Sequence, residues 1–202
     1  MIPPLVRLPA TVLDHDALAR CVDAVGQART VLLGAQRSPH GDVLDEFVVA
    51  ASISQRRPAA TLGVAARVGG GRAASIVARE ATTAQLLGAC TLLYLEGEAS
   101  GCRDAAAIVT ALFTEGVHSV TTPSARVAGA RNLPLPDVTG GPPVCWREGD
   151  TLVQLVDGEP AACGTLVEVG AGAPLGVAAP GVLVDVQHRL DTPTALASAL
   201  AR

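Results

Sequence analysis

Three polar stretches, each directly after an apolar run, contain the residues of this chain best suited to chemistry. The first contains Gln36, Arg37 and His40, which follow the apolar run 30–33. Because histidine titrates near neutral pH, His40 could act as a general acid, or it could contact an anion together with Arg37. The alternative is a solvated loop, since connecting segments usually run over the surface.

The second stretch is a glycine cluster that joins an apolar run to a helical pattern. Gly69, Gly70, Gly71 and Arg72 follow the run 62–68. Free backbone N–H groups at a helix N-terminus, the helix dipole and an arginine can together hold a phosphate. The alternative is that the glycines only permit a tight turn, since glycine clusters commonly mark loops.

The third stretch begins with Glu96 and Gly97, after the apolar run 92–95. Glu96 could act as a base if it is partly buried, or it could be an ordinary carboxylate at the end of a loop. If the three runs are parallel strands, their carboxyl ends meet at the mouth of one barrel, where function is usually found. The residues expected at that mouth are Gln36, Arg37, His40, Ala66, Arg67, Gly69, Gly70, Arg72, Glu96 and Gly97.

The cysteines do not suggest a metal or nucleophilic site. The chain has five of them, and no CxxC or zinc-ligand spacing occurs. Their odd number and the lack of a signal-like N-terminus are typical of reduced thiols in the cytoplasm. We therefore expect a cytoplasmic protein without a bound metal.

Apolar runs and helical patterns alternate through the middle of the chain. Strands that begin near Thr30, Ala60 and Cys90 recur at a spacing of about thirty residues, which is a normal βα repeat. A helix capped by Asp16 should stop at Gly26, a helix capped by Asp42 should end before Pro58, and a third should close at Gly88. Three such repeats predict a doubly wound sheet or a (β/α) barrel.

The remainder of the chain completes a single α/β domain, 1–202. Residues 1–116 read as βα repeats, with a first strand over 5–13 and a helix from 102 or 103 to 113. Residues 117–143 are expected to form an extended arm and a Pro/Gly loop. Residues 144–202 should contain a short strand 144–146, a hairpin turning at Asp157–Gly158, a strand 182–186 and a final helix. Since a complete TIM barrel needs about 250 residues, we expect a trimmed or incomplete TIM-type barrel.

Composition limits the possible partners. Hydrophobic residues make up 49% of the chain but aromatic residues only 2%, which predicts a core of branched aliphatic side chains. The net charge of −4 argues against nucleic acid. No uninterrupted apolar stretch is long enough to span a bilayer.

The central sequence resembles the luciferase-like flavin-dependent oxidoreductases, which include bacterial luciferase and the deazaflavin (F420) enzymes. TLGVAARVGGGRAASIVAREATTAQLLGACTLLYLEG is similar to the stretch from the third to the fourth strand of that family. Leu62–Gly63, Ala78–Arg79 and Ala81–Thr82 stand at matching places. DVLDEFVVAASISQRRP and EGVHSVTTPSARVAGARNLPLP resemble the preceding helix and a following arm. The resemblance covers about residues 14–144.

The resemblance implies an oxidoreductase of monooxygenase type that uses FMN or F420 on a small organic substrate, at the barrel mouth. It also implies a cis peptide near Ala65 to Gly69. The chain departs from the family where many members have Asp-His after the second strand, since Ala35–Gln36 stand there. The alternative is a non-catalytic relative without a cofactor that serves as a subunit, scaffold or small-ligand binder. In both cases the expected partners are a small molecule and a second copy of the chain, as a homodimer.

Overall fold

The computed structural model of the chain describes residues 5–8, 15–26, 29–37, 40–67, 72–96, 105–112, 141–149, 151–156, 159–169 and 182–186. The strands are β1 (Leu5–Arg7), β2 (Thr30–Leu33), β3 (Gln36–Arg37), β4 (Val43–Leu44), β5 (Thr61–Arg67), β6 (Leu93–Glu96), β7 (Val144–Glu148), β8 (Thr151–Val156), β9 (Glu159–Val169) and β10 (Val182–Val186). The helices are α1 (His15–Val25), α2 (Glu46–Arg56), α3 (Ala74–Leu86) and α4 (residues 105–112).

The molecule is an α/β protein built on one curled, mostly parallel sheet. The strand order is β1-β10-β9-β8-β7-β6-β5-β2, and β1 is hydrogen-bonded to both β10 and β2, so that the pairing closes into a ring. β8 pairs antiparallel with both β7 and β9, whereas the other neighbours in this sheet are parallel. The carboxyl ends of the seven parallel strands therefore lie at one end of the ring.

The predicted βα repeats are confirmed. β2 pairs parallel with β5, and β5 with β6, with Leu32 opposite Gly63 and Ala65 opposite Tyr94. Each parallel pair needs a crossover, and α2 and α3 supply the two crossovers here. The predicted hairpin and late strand are also present as β8, β9 and β10, although the turn at Asp157–Gly158 lies outside the described residues.

Glycines end two of the helices as predicted. Gly26 (φ +83°) follows α1, and Gly88 (φ +69°) follows α3, so both adopt the left-handed conformation that glycine accepts at little cost. The predicted caps at Asp16 and Asp42 are wrong. α1 already includes His15, so Asp16 lies inside its first turn. Val43 and Leu44 are extended and pair with β3, so α2 begins later, and the Asp45 side chain accepts the N–H of Phe47 at 2.9 Å.

The core has an inner and an outer layer, because successive residues of a strand point to opposite faces. The outer layer packs between the sheet and the helices and includes the fully buried Trp146, whose Nε1–H donates to Glu148 Oε1 at 2.9 Å. The inner layer lies inside the ring. It contains Leu5, Leu32, Ala65, Leu92, Tyr94, Cys145 and Leu152. Aliphatic side chains dominate both layers, as the composition predicted.

Several predicted segments lie wholly or partly outside the described residues. These are the continuation of the first strand over 9–13, the arm 117–127, most of the loop 132–143 and the final helix from 191. No helix in the described part of the chain combines the length and the apolar character needed to cross a membrane.

Candidate binding site at the carboxyl ends of the strands

An ion pair spans the end of the ring where the parallel strands finish. Arg7 is the last residue of β1 and Glu96 the last of β6, and β2 and β5 stand between these strands. The Nε–H of Arg7 donates to Glu96 Oε1. The two side chains are 28% and 15% exposed, so the pair lies largely inside the mouth of the ring rather than on its outer surface.

The strand alternation explains how these residues meet. Each stands two positions beyond a member of the inner core layer, Arg7 beyond Leu5 and Glu96 beyond Tyr94, and therefore faces the same interior. Between them, a Cβ placed on Gly34 would lie 3.9 Å from Glu96 Oε1 and 3.8 Å from the Ala65 carbonyl oxygen. A side chain as small as that of alanine would therefore fit at Gly34 in ordinary contact with its neighbours.

Two further arginines occupy equivalent positions. Arg67 stands two residues beyond Ala65 and is the register partner of Glu96, while Arg147 stands two residues beyond Cys145. Both are exposed, and Arg147 donates its Nε–H to the Gly149 carbonyl oxygen at 2.5 Å. Among side chains described on the inward face at these strand ends, three arginines accompany one glutamate. The register also sets Asp185 of β10 beside Arg7 and Glu168 of β9 beside Asp185, so acidic and basic positions are equal in number at this end of the ring.

Tyr94 lies directly beneath the ion pair and is only 7% exposed. Burial raises the pKa of its hydroxyl to about 12, while the charges of Arg7 and Arg147 act in the opposite direction. The phenol is therefore protonated at neutral pH and can donate a hydrogen bond. A neutral donor therefore lies below the charged residues at this end of the ring.

Two cysteines occupy the interior near Tyr94. Cys145 is fully buried in the inner layer, and Cys163, which is partly exposed, packs against the same layer and donates its S–H to the Leu152 carbonyl oxygen at 3.3 Å. Burial raises the pKa of both thiols. Since the thiolate is the reactive form, both are poorly activated as nucleophiles.

Arg72, predicted as a phosphate ligand, is held by carboxylates instead. Its guanidinium pairs with Glu46 at 2.5 Å and Asp45 at 2.9 Å, also pairs with Glu80, and lies 5.3 Å from the centre of the Phe47 ring. Burial alone would lower the pKa of Arg72, but the charges of Glu46 and Asp45 outweigh it and raise the pKa. Three carboxylates around one arginine make this cluster unfavourable for a further anion.

Ala66 is not positioned as the sequence predicted. Its side chain belongs to the outer core layer and is completely buried. The reason is the two-residue period of β5, which turns Ala65 and Arg67 inward and Ala66 toward the helices. The predicted cis peptide is absent from residues 65–67, where all peptide bonds are trans. Gly69, Gly70 and Gly97 lie outside the described residues.

The residues predicted after β2 form a small hairpin rather than an irregular loop. Gln36 pairs with Leu44 and Arg37 with Val43, and His40 lies in the turn between β3 and β4. Gln36 is buried, with its Nε2 donating to the Gly34 carbonyl oxygen at 3.4 Å, whereas Arg37 and His40 are exposed. The hairpin begins just beyond the carboxyl end of β2.

Sequence analysis missed Arg7, Tyr94 and Arg147. A usable signal existed for the first two: Arg7 follows the apolar pair Leu5–Val6, and Tyr94 precedes Glu96 by two residues, as expected for one face of a strand. Arg147 gave no such signal, because the predicted strand 144–146 ended one residue before it, whereas β7 extends to Glu148.

A cleft of about 230 Å³ lies at the other end of the sheet, away from the Arg7–Glu96 pair. It is lined by the ends of α1 and α2 and by residues 58–60, just before β5. Its two arginines are already matched, Arg56 by Asp16 and Arg57 by Asp23.

In the described part of the chain, no group of three or more His, Cys, Asp or Glu side chains is placed to hold a metal ion. Comparison with protein-family models, curated proteins and solved structures finds no match to this chain.

Proposed function

We propose that this chain is a luciferase-like oxidoreductase that binds FMN or F420 at the carboxyl ends of its parallel strands and acts on a small organic substrate. One observation carries the proposal: Arg7, Arg67, Arg147 and Glu96 project from four strands toward the same mouth, above Tyr94. Arginine forks match phosphate and carboxylate oxygens, which both cofactors carry. The end of parallel strands is also where ligands bind in barrel folds.

In this proposal the ring is a trimmed TIM-type barrel. The hairpin β8–β9 takes the place of further βα units, which accounts for a closed ring in a short chain. The cofactor, when bound, would supply hydride transfer or oxygenation. The chain would hold the cofactor's anionic end through Arg67 and Arg147, and the exposed Arg37 and His40 of the neighbouring hairpin would contact the substrate.

Quenching of FMN and F420 fluorescence by the purified protein tests the proposal. We expect saturable quenching by the natural protein and an affinity about tenfold lower for R147Q, because one charge-assisted contact is lost. R57Q, at the opposite end of the sheet, is the matched control and should bind like the natural protein. The proposal is wrong if neither cofactor binds, or if R57Q weakens binding as much as R147Q does.

The second candidate is a non-catalytic relative that acts as a dimeric subunit, a scaffold or a small-ligand binder. Two contacts favour it: Arg72 is surrounded by carboxylates, and Arg7 already has an internal anion in Glu96. A homodimer in sedimentation, with no change in the absorbance spectrum on adding FMN or F420, would support it. A monomer that binds flavin tightly would exclude it.

A further inference from the structure

The hydroxyl of Tyr94 is a buried polar group without a hydrogen-bond partner in the described part of the chain. The side chain is 7% exposed and belongs to the inner core layer, so it faces the interior of the ring. The charges of Arg7 and Glu96 act on it through space, but no hydrogen bond joins it to a described residue. Buried tyrosine hydroxyls normally have a partner, so this donor is suited to an acceptor on a ligand.

The side chains beside Tyr94 on the neighbouring strands are small. Its register partners are Ala65 of β5 and Cys145 of β7, and the same row continues through Gln154 of β8 to Ala161 of β9. Barrels of eight strands are normally filled by branched side chains, and leucines fill other parts of this inner layer. Alanine and cysteine beside Tyr94 therefore favour room for a small molecule within reach of its hydroxyl.

The wall of the ring is less complete on the side where this row ends. β10 pairs with residues 165–169 of β9, and no described strand lies beside residues 159–163 on that side. The inward positions Gln154, Ala161 and Cys163 are half-buried, whereas the inner-layer residues of β1, β2 and β5 are fully buried. Solvent therefore reaches the interior of the ring from the side of β9.

We infer that the interior of the ring beside Tyr94 binds a small uncharged molecule through a carbonyl oxygen, which accepts a hydrogen bond from the Tyr94 hydroxyl. The leucines of the inner layer suit an apolar body on such a ligand. Acidic and basic positions are equal in number at the strand ends above Tyr94, so a ligand without net charge fits there. This site goes beyond the proposed function, because it requires neither FMN nor F420.

Cyclohexanone is the probe, and methylenecyclohexane, which has the same ring but no oxygen, is the matched control ligand. Ligand-detected NMR measures the affinity of each for the natural protein and its variants. Y94F should bind cyclohexanone about fivefold more weakly than the natural protein, because one hydrogen bond is lost. Its affinity for methylenecyclohexane should be unchanged. R57Q, at the other end of the sheet, should bind both ligands like the natural protein.

A second variant tests the position of the site. A65V fills the space beside Tyr94 and should weaken the binding of both ligands about tenfold. If A65V does not fold, C145V on the other side of Tyr94 takes its place. The inference is wrong if the natural protein binds neither ligand, if Y94F binds cyclohexanone as tightly as the natural protein does, or if the folded bulky variant binds both ligands unchanged.

Quenching of FMN and F420 fluorescence on the same variants separates this inference from the proposed function. If cyclohexanone follows the expected order but neither cofactor binds, the proposed function fails and the inference stands. If a cofactor binds but Y94F and the natural protein bind cyclohexanone equally, the inference fails and the proposed function stands.

Discussion

Glu46, the first residue of α2, is 3% exposed and forms an ion pair with Arg72, which precedes α3. Glu46 Oε1 also accepts a hydrogen bond from the backbone N–H of Arg67, at the end of β5, with an N···O distance of 3.4 Å. One buried carboxylate thus ties together the start of α2, the end of β5 and the start of α3. This contact lies beside the mouth and holds the strand end from which Arg67 projects.

Replacing Arg72 by methionine should therefore destabilise the fold strongly. The change leaves Glu46 buried without its main counter-charge, and loss of one partner of a buried pair costs about 3 kcal/mol or more. We expect the free energy of unfolding in urea to fall by about that amount for R72M. R72K should fall between R72M and the natural protein, because lysine cannot bridge several carboxylates with a planar fork.

The matched control is R79M, which removes an exposed arginine from the same helix, α3. R79M should change the free energy of unfolding by no more than about 0.5 kcal/mol. The double variant R72M/E46Q should recover part of the stability lost in R72M, because it removes the buried charge of Glu46. Equal stabilities for R72M and R79M would show that the Glu46–Arg72 pair does not hold these elements together.

Tyr94 should make the fold sensitive to alkali. Its pKa is raised from 10.0 in the unfolded chain to about 12 in the folded protein. The stability linked to its proton is fully present below pH 10 and is lost as the pH rises toward 12, because the unfolded chain releases the proton first. The loss amounts to about 2.7 kcal/mol. Urea unfolding across this range should show a smaller decline for Y94F than for the natural protein.

Absorbance of ionised tyrosine provides a direct measurement of the same group. The chain has one tyrosine, so the alkaline absorbance change in the folded protein reports on Tyr94 alone. An ionisation midpoint near 10 in the folded protein would contradict the burial of this side chain.

The buried thiols should react slowly with a soluble disulfide reagent. Burial raises the pKa of Cys90 to about 12 and that of Cys145 well above its usual value, so little thiolate forms near neutral pH. In a C102A background, Cys163 should react first, because it is the least buried of the described cysteines. We expect C163A to remove the fastest phase, and 6 M urea to release the rest. Fast labelling of Cys145 in the folded protein would exclude its place inside the ring.

Two glycines on the inside of the ring should respond differently to alanine. A Cβ on Gly63 would lie 2.6 Å from Leu32 Cδ2 and 3.0 Å from the Leu92 carbonyl oxygen, so G63A forces the inner layer apart. We expect a loss of about 1–3 kcal/mol in the free energy of unfolding. G34A is the control, because its nearest contacts would be 3.8–3.9 Å away. A G34A variant less stable than G63A would contradict this packing.

The sequence by itself determined the local elements and their order. The spacing of apolar runs and capping glycines placed β2, β5, β6, α1 and α3 within a few residues, because strand and helix periods and a left-handed glycine are local properties. The parallel arrangement followed from the helices between the runs. The sequence was wrong at two helix starts. Asp16 lies inside α1, and Asp42 is followed by a pairing between β3 and β4 that local propensity does not encode.

Only the tertiary structure decided which side chains meet. Arg7 and Glu96 are 89 residues apart and come together because ring closure brings the ends of β1 and β6 to one mouth. The packing of α2 beside α3 likewise commits Arg72 to carboxylates from two helices. Contacts between distant segments depend on strand register and on ring geometry, and neither can be predicted from the residue pattern of a single segment.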